Sequence, residues 1–101
     1  MLDGIIWRDY LVTENNTERK DWSYTSHIGE DLRGIDLSGA DLRRAVFDGA
    51  DLEGADLSGA DLRKASFKQA NLMKAAFDNA DMRDAIFIKA RMNLSNFQGT
   101  K

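Results

Sequence analysis

Residues 30–99 read, in groups of five, EDLRG IDLSG ADLRR AVFDG ADLEG ADLSG ADLRK ASFKQ ANLMK AAFDN ADMRD AIFIK ARMNL SNFQG, fourteen units in tandem without an insertion. The five places of a unit are numbered as slots one to five. Slot one is alanine without a break from Ala40 to Ala90. Slot three is always large and apolar, from Leu32 and Leu37 through Phe47, Phe67 and Phe87 to Met92 and Phe97. A fixed internal period decides the fold class before any single motif does.

A period of five fits neither ordinary element. On an α-helix five residues advance about 500°, so each slot drifts roughly 140° per unit and the leucines spiral around the axis. They never form one apolar stripe. On a continuous strand, alternation has period two, and an odd unit sends successive leucines to opposite faces. The chain must therefore turn once per unit, in the same sense each time. Slots one and three then point to one side of a short extended segment. Such a path coils, with its inside lined by Ala and by Leu, Phe or Met.

A second period gives the number of sides. Leu37 to Phe47 reads LSGADLRRAVF, and Leu57 to Phe67 reads LSGADLRKASF, nearly the same words twenty residues later. A coil of four units has four sides, and stacked coils pair at about 4.8 Å, the interstrand spacing. The slot-three columns are then Leu32, Leu52, Leu72, Met92; Leu37, Leu57, Phe77, Phe97; Leu42, Leu62, Met82; and Phe47, Phe67, Phe87. The three phenylalanines predict an aromatic stack along one wall.

The remaining slots suit this path. Gly34, Gly39, Gly49, Gly54, Gly59 and Gly99 all fall in slot five, the corner, with Asn79 there as the next best choice. Slot two is usually Asp, whose short side chain bonds backbone amides at a turn. Slot one must be small, because inward side chains crowd the axis. Ala60→Leu is therefore expected to cost about 1–3 kcal/mol through overpacking. Each buried slot-three leucine contributes about 1.5–3 kcal/mol. Proline is absent, as suits coils that need their backbone donors.

These tandem A-D-L-x-x units resemble the pentapeptide repeat family over residues 30–99. The resemblance implies a right-handed quadrilateral β-helix, an all-β solenoid of about three and a half coils, with type II-like turns at the corners. Glu30 and Ile35 depart from alanine in slot one, and ARMNL and SNFQG lack the slot-two acid.

Outside the repeat, residues 1–29 are expected to form an N-terminal cap on a 30–101 solenoid. Ile5, Ile6, Trp7, Tyr10, Leu11 and Val12 make an apolar patch, Thr13 to Asp21 reads as a loop, and Trp22 plugs the first coil. Thr25 to Gly29 reads as a degenerate unit with Gly29 in the corner slot. The chain has 101 residues, a net charge of −3 and no cysteine, which suits one small domain in a reducing compartment. No signal-peptide pattern and no long apolar run is visible, so the expectation is a soluble cytoplasmic protein with no membrane partner.

The last coil carries apolar residues where solvent is expected. Ile86, Ile88 and Leu94, with Met92 and Phe97 at the open end, predict a homodimer through the C-terminal coil. The resemblance agrees, since several members of the family pair in that way.

Charge is unevenly placed. Residues 30–62 hold nine acids and three bases, and residues 63–101 hold three acids and eight bases. The slot-two acids Asp31, Asp36, Asp41, Asp51, Asp56, Asp61 and Asp81 fall into columns one coil apart. Arg43, Arg63 and Arg83 form a parallel ladder that can neutralise the last column. Three readings compete for these acids. They satisfy corner amides, they imitate DNA phosphates for a protein that reads DNA, or they bind calcium. Family members that act on DNA gyrase make mimicry of this kind a live option, with gyrase, a nuclease or a phage-defence complex as the target. Calcium-binding repeats need glycine-rich nonapeptides, which are missing.

Catalysis has little to work with. The only histidine is His27, and Ser38 and Ser58 are turn residues without a matching base. No catalytic residue, cofactor site or metal site is expected. Lys64, Lys68, Lys74, Lys89 and Arg91 lack exposed aromatics to stack bases, which argues against direct nucleic-acid binding. The expected function is binding a protein, with the seven acids as the candidate surface. A scaffolding module without a charge-dependent target is the alternative.

Overall fold

The computed structural model describes residues 19–101; the apolar patch Ile5–Val12 expected to cap the solenoid lies outside the described residues. Slot two pairs in parallel with slot two twenty residues later, from Asp21↔Asp41 and Ser26↔Val46 to Asn71↔Arg91 and Ala76↔Asn96. Around each pair the backbone bonds follow one rule. Leu37 N–H donates to the Asp56 carbonyl at 2.8 Å, Asp56 N–H to the Ile35 carbonyl at 2.9 Å, and Gly39 N–H to the Ser58 carbonyl at 2.8 Å. Each side is thus one short bridge between coils, because the chain turns again before a longer strand can form.

The corners are closed turns. Slot one donates to the slot-three carbonyl three residues back, as Ala40 does to Leu37 at 3.1 Å. Every slot-five residue from Tyr24 to Gly99 has a positive φ, between 59° and 76°. That combination is the type II pattern, with the left-handed residue third in the turn. Glycine fills less than half of these corners. Arg44, Lys64, Gln69, Lys74, Asn79, Asp84, Lys89 and Leu94 adopt the same conformation with φ of 59–64°. The coil's own bonds hold them there.

The core is what slots one and three supply. Ala40, Ala45, Ala50 and their successors to Ala80 are buried, as are Leu37, Leu42, Phe47, Leu52, Leu57, Leu62, Phe67, Leu72 and Phe77. Phe67 stacks on Phe87 at 5.2 Å between centroids, and Phe77 stacks on Phe97 at 5.1 Å. The two stacks stand on opposite sides of the coil and meet edge to face at 85° across its interior.

The coil begins earlier than its lettering indicates. Trp22 N–H donates to the Asp41 carbonyl, His27 N–H to that of Val46, and Tyr24 and Gly29 have the corner φ. Lys20–Gly29 therefore forms two further sides, and the boundary expected at Glu30 falls inside the coil. The physical reason is that Asp21, Trp22 and Gly29 satisfy slots two, three and five, while only slot one, Lys20 and Thr25, departs from alanine. His27 takes the place of a fourth phenylalanine, stacked between Trp22 at 4.5 Å and Phe47 at 5.2 Å. Its Nδ1 lies 3.1 Å from Glu30 Oε1, and its Nε2 lies 2.8 Å from Thr25 Oγ1. Both ring nitrogens are thereby satisfied in an otherwise apolar column.

Candidate binding surfaces

The slot-two side chains look outward and bend back on the corner. Asp36 Oδ1 accepts from the Ser38 N–H at 3.0 Å and the Ser38 hydroxyl at 2.6 Å. Asp56 and Ser58 repeat the arrangement one coil on. This is the turn chemistry the residue type predicts. Where slot two is Asn71, its amide oxygen accepts from the Met73 N–H, and in two other units without a slot-two acid the acid comes from the neighbouring coil. Asp48 accepts from Lys68 N–H at 3.0 Å and Asp78 from Gln98 N–H at 3.2 Å.

Where slot four is arginine, the carboxylate is taken twice over. Arg43 donates from Nε to Asp41 Oδ1 at 2.8 Å and from Nη2 to Oδ2 at 2.7 Å. Arg63 grips Asp61 and Arg83 grips Asp81 in the same fork. Each of the first two arginines also stands near the next carboxylate along, Arg43 Nε 4.0 Å from Asp61 and Arg63 Nε 3.8 Å from Asp81. The forks hold the Asp41 and Asp81 carboxyls down at about 2, against an ordinary 3.8. Asp61 is lowered for the same reason, against the opposing effects of partial burial and the Asp41 charge.

The seven acids singled out from the sequence do not form one face. Residues five apart lie on successive sides, and only residues twenty apart share a side. Asp31 and Asp51 therefore occupy one side, Asp36 and Asp56 the next, and Asp41, Asp61 and Asp81 a third. On that third side Asp41, Asp61 and Asp81 are each forked by an arginine, whereas Asp21, one coil earlier, accepts from Ser23. Asp31 is forked by Arg33, while Asp51 accepts from Asn71 Nδ2 at 3.1 Å. Asp36 and Asp56 carry no guanidinium.

The apolar residues of the last coil are likewise divided. Ile86 and Ile88 project from an outer side, 37% and 60% exposed, and Leu94 stands at a corner, 73% exposed. Phe97 and the partly buried Met92 lie in the interior columns at the end of the stack, and Phe97 is 38% exposed. All five belong to the last three sides of the coil.

One concavity was not anticipated. A groove of about 340 Å³ runs along the coil axis between slots four and five of the arginine side. Arg43, Arg63 and Arg83 form one wall; Tyr24, Arg44, Lys64 and Asp84 form the other. The Arg44 guanidinium sits 5.8 Å from the centre of the Tyr24 ring. The legible signal was the doubled cation at twenty-residue spacing, Arg43–Arg44 and Arg63–Lys64. Among the described residues, no group of three or more His, Cys, Asp or Glu is placed to hold a metal ion, and no helix is long and apolar enough to cross a membrane.

Comparison with known proteins follows the same lines. The model for pentapeptide repeats matches residues 31–63 and 60–99, with 8 copies. Comparison with curated protein sequences gives no match. Among solved structures, the chain is similar to a pentapeptide repeat protein (Rfr23) from the cyanobacterium Cyanothece 51142, at 28% identity and a TM-score of 0.65, over 81% of this chain and 60% of that one. It is similar to HetL, a pentapeptide repeat protein involved in heterocyst differentiation regulation from the cyanobacterium Nostoc sp. strain PCC 7120, at 26% identity and a TM-score of 0.50, over 79% of this chain and 48% of that one. A pentapeptide repeat protein from the Arabidopsis thaliana thylakoid lumen aligns at 37% identity and a TM-score of 0.38, over 80% of this chain and 57% of that one. The chain thus spans between 48% and 60% of the length of these three proteins. With the repeat model covering more than half of the chain, the chain belongs to the pentapeptide repeat family, whose form is a right-handed β-helix.

Proposed function

We propose that the chain is a non-catalytic module that binds another protein through the side-chain lattice on its outer sides. The observation that carries this reading is where the backbone bonds go. Bridges and corners take up the amides along each side, so recognition falls to the slot-two and slot-four side chains. Forks and Asx-type bonds fix those side chains in rungs one coil apart, which lowers the entropy lost on binding. Pentapeptide repeat proteins are generally structural or binding modules, which agrees.

A DNA-like surface that attracts a DNA-binding enzyme is the second reading. Asp36 and Asp56 favour it, since they stand one coil apart on one side without an arginine, next to Asp31 and Asp51. Asp41, Asp61 and Asp81 contribute less, because their forks already neutralise them. We further propose that two copies pair through Ile86, Ile88, Met92, Leu94 and Phe97, and that the chain works in the cytoplasm, in keeping with its lack of cysteine.

The test is capture of partners from host lysate, their identification by mass spectrometry, and calorimetric titration of the purified partner. Saturable binding of one protein is expected. Loss of that binding on changing Asp36 and Asp56 to Asn, with the fold kept, selects the DNA-like reading. Retention removes it and leaves the protein-binding module. Absence of any saturable protein partner overturns both in favour of scaffolding.

A further inference from the structure

The arginine groove presents donors that no acceptor among the described residues takes. A guanidinium has five N–H donors, and each fork to Asp41, Asp61 or Asp81 uses two. The other three of each are left on Arg43, Arg63 and Arg83, which line the groove while their carboxylate partners do not. Arg44 and Lys64, on the opposite wall, make no ion pair with a described residue. Among the described residues, Asp84, at one end, is the one acid in the lining.

We propose that this groove docks an extended acidic segment of a partner protein, whose carboxylates take the unused guanidinium edges. The proposal rests on the protein-binding reading and adds the surface and the chemistry of what it receives. Arg is the residue suited to planar, two-point recognition of carboxylate, and the forks hold all three guanidinium groups in place before a ligand arrives. Arg43 and Arg83 are two coils apart, about 10 Å at ordinary interstrand spacing. With Tyr24 one coil further, the groove runs about 15 Å. An extended peptide advances about 3.3 Å per residue, so four or five residues fill it.

Nucleic acid fits the same groove less well. Its affinity draws on counterions released by many neutralised phosphates, whereas three carboxylates stand directly behind this ladder and offset its charge. Single strands also need exposed aromatic faces for their bases. Among the described residues Tyr24 is the one aromatic in the lining, and the Arg44 guanidinium already stands over one face of its ring.

The experiment titrates the full chain into a fluorescein-labelled decapeptide of glutamate and reads anisotropy in low salt. A glutamine decapeptide and a single-stranded thymidine decamer serve as comparisons. Saturable binding of the glutamate peptide alone is expected, weakening as salt rises from about 50 to about 500 mM. The double variant Arg44→Glu, Lys64→Glu leaves every aspartate fork intact and is expected to weaken binding about tenfold or more. Arg63→Lys keeps the charge but removes the flat donor edge, and is expected to weaken it several-fold. Circular dichroism confirms that each variant is folded.

No binding of the glutamate peptide overturns the proposal. So does equal or tighter binding of the thymidine decamer, or binding unchanged in both variants. Partner capture separates the two claims. A protein partner bound equally by the wild type and by the Arg44→Glu, Lys64→Glu variant removes the groove and leaves the protein-binding module standing. Glutamate-peptide binding with no protein partner does the reverse.

Discussion

Phe47 and Phe67 lie face to face, their ring centroids 5.1 Å apart and their planes within 8°, although twenty residues separate them in the chain. That distance is the coil spacing itself, so the rings stack because the backbone rungs stack. Phe67 is stacked on Phe47 and Phe87, above and below, and meets Phe77 edge-on across the interior of the coil.

Phe67→Ala is expected to cost about 3–5 kcal/mol, as buried aromatic truncations do. Phe67→Leu should cost much less, because leucine is what this slot holds elsewhere on the coil. Urea unfolding followed by circular dichroism measures both. Equal costs for the two variants would show that ring stacking, rather than filled volume, governs this column.

The corner residues give a second prediction. Gln69 is held at a φ of 59° and Gly54 at 72°. A side chain in the left-handed region costs roughly 1–2 kcal/mol. Gln69→Gly should therefore be neutral or stabilising, despite the added freedom it gives the unfolded chain. Gly54→Val places a β-branched residue there and should destabilise by about 1–3 kcal/mol, though no atom stands within 4 Å of the new Cβ. Thermal unfolding of the two variants in opposite directions is the outcome to look for.

Acid should remove the contribution of the arginine side only at low pH. The forks from Arg43 and Arg83 lower the Asp41 and Asp81 carboxyls to about 2 from 3.8. A carboxyl lowered in the folded state stabilises it fully above the unfolded value and loses that contribution as pH falls through the folded one. Stability should thus climb between about pH 2 and pH 4, by this contribution. The Asp41→Asn, Asp81→Asn variant should show a flatter climb in that window. An unaltered slope would mean that other carboxylates dominate it.

The end coil supplies a mass measurement. Ile88 is 60% exposed beside Ile86, and Ile88→Glu should convert a dimer to a monomer in light scattering. An unchanged mass, whether one chain or two, sinks the proposed pairing.

The slot pattern carried most of the fold. Alanine in slot one and a large apolar residue in slot three defined the inside, and the twenty-residue echo placed Phe47, Phe67 and Phe87 on one wall. Thr25 to Gly29 was legible as a degenerate unit through Gly29, but the unit before it was hidden, since Lys20 does not look like a slot-one residue nor Tyr24 like a corner one. Near an end a slot-one side chain need not be small. His27 was hidden for a related reason, because its two nitrogens find Thr25 and Glu30 while its ring fills a phenylalanine's place.

The candidate surfaces were less legible. Columns of aspartate look like a face when written in a line, but the corners carry Asp31, Asp36 and Asp41 to three different sides. The arginine forks follow from D-x-R spacing, since Arg43 needs to reach back only to Asp41. The groove depends on how slot-four and slot-five side chains splay from one corner, which letter order alone does not give.

The register of twenty also sets how such a gene can grow. Duplicating a segment that encodes one whole coil returns every column to its own kind, phenylalanine upon phenylalanine and arginine upon arginine. Duplicating a single unit preserves the turns but rotates everything beyond it by one side, so aromatic walls meet leucine walls. Adding or losing one residue breaks the corner rule itself. The near-identical words LSGADLRRAVF and LSGADLRKASF stand one whole coil apart, the spacing that keeps every column in register.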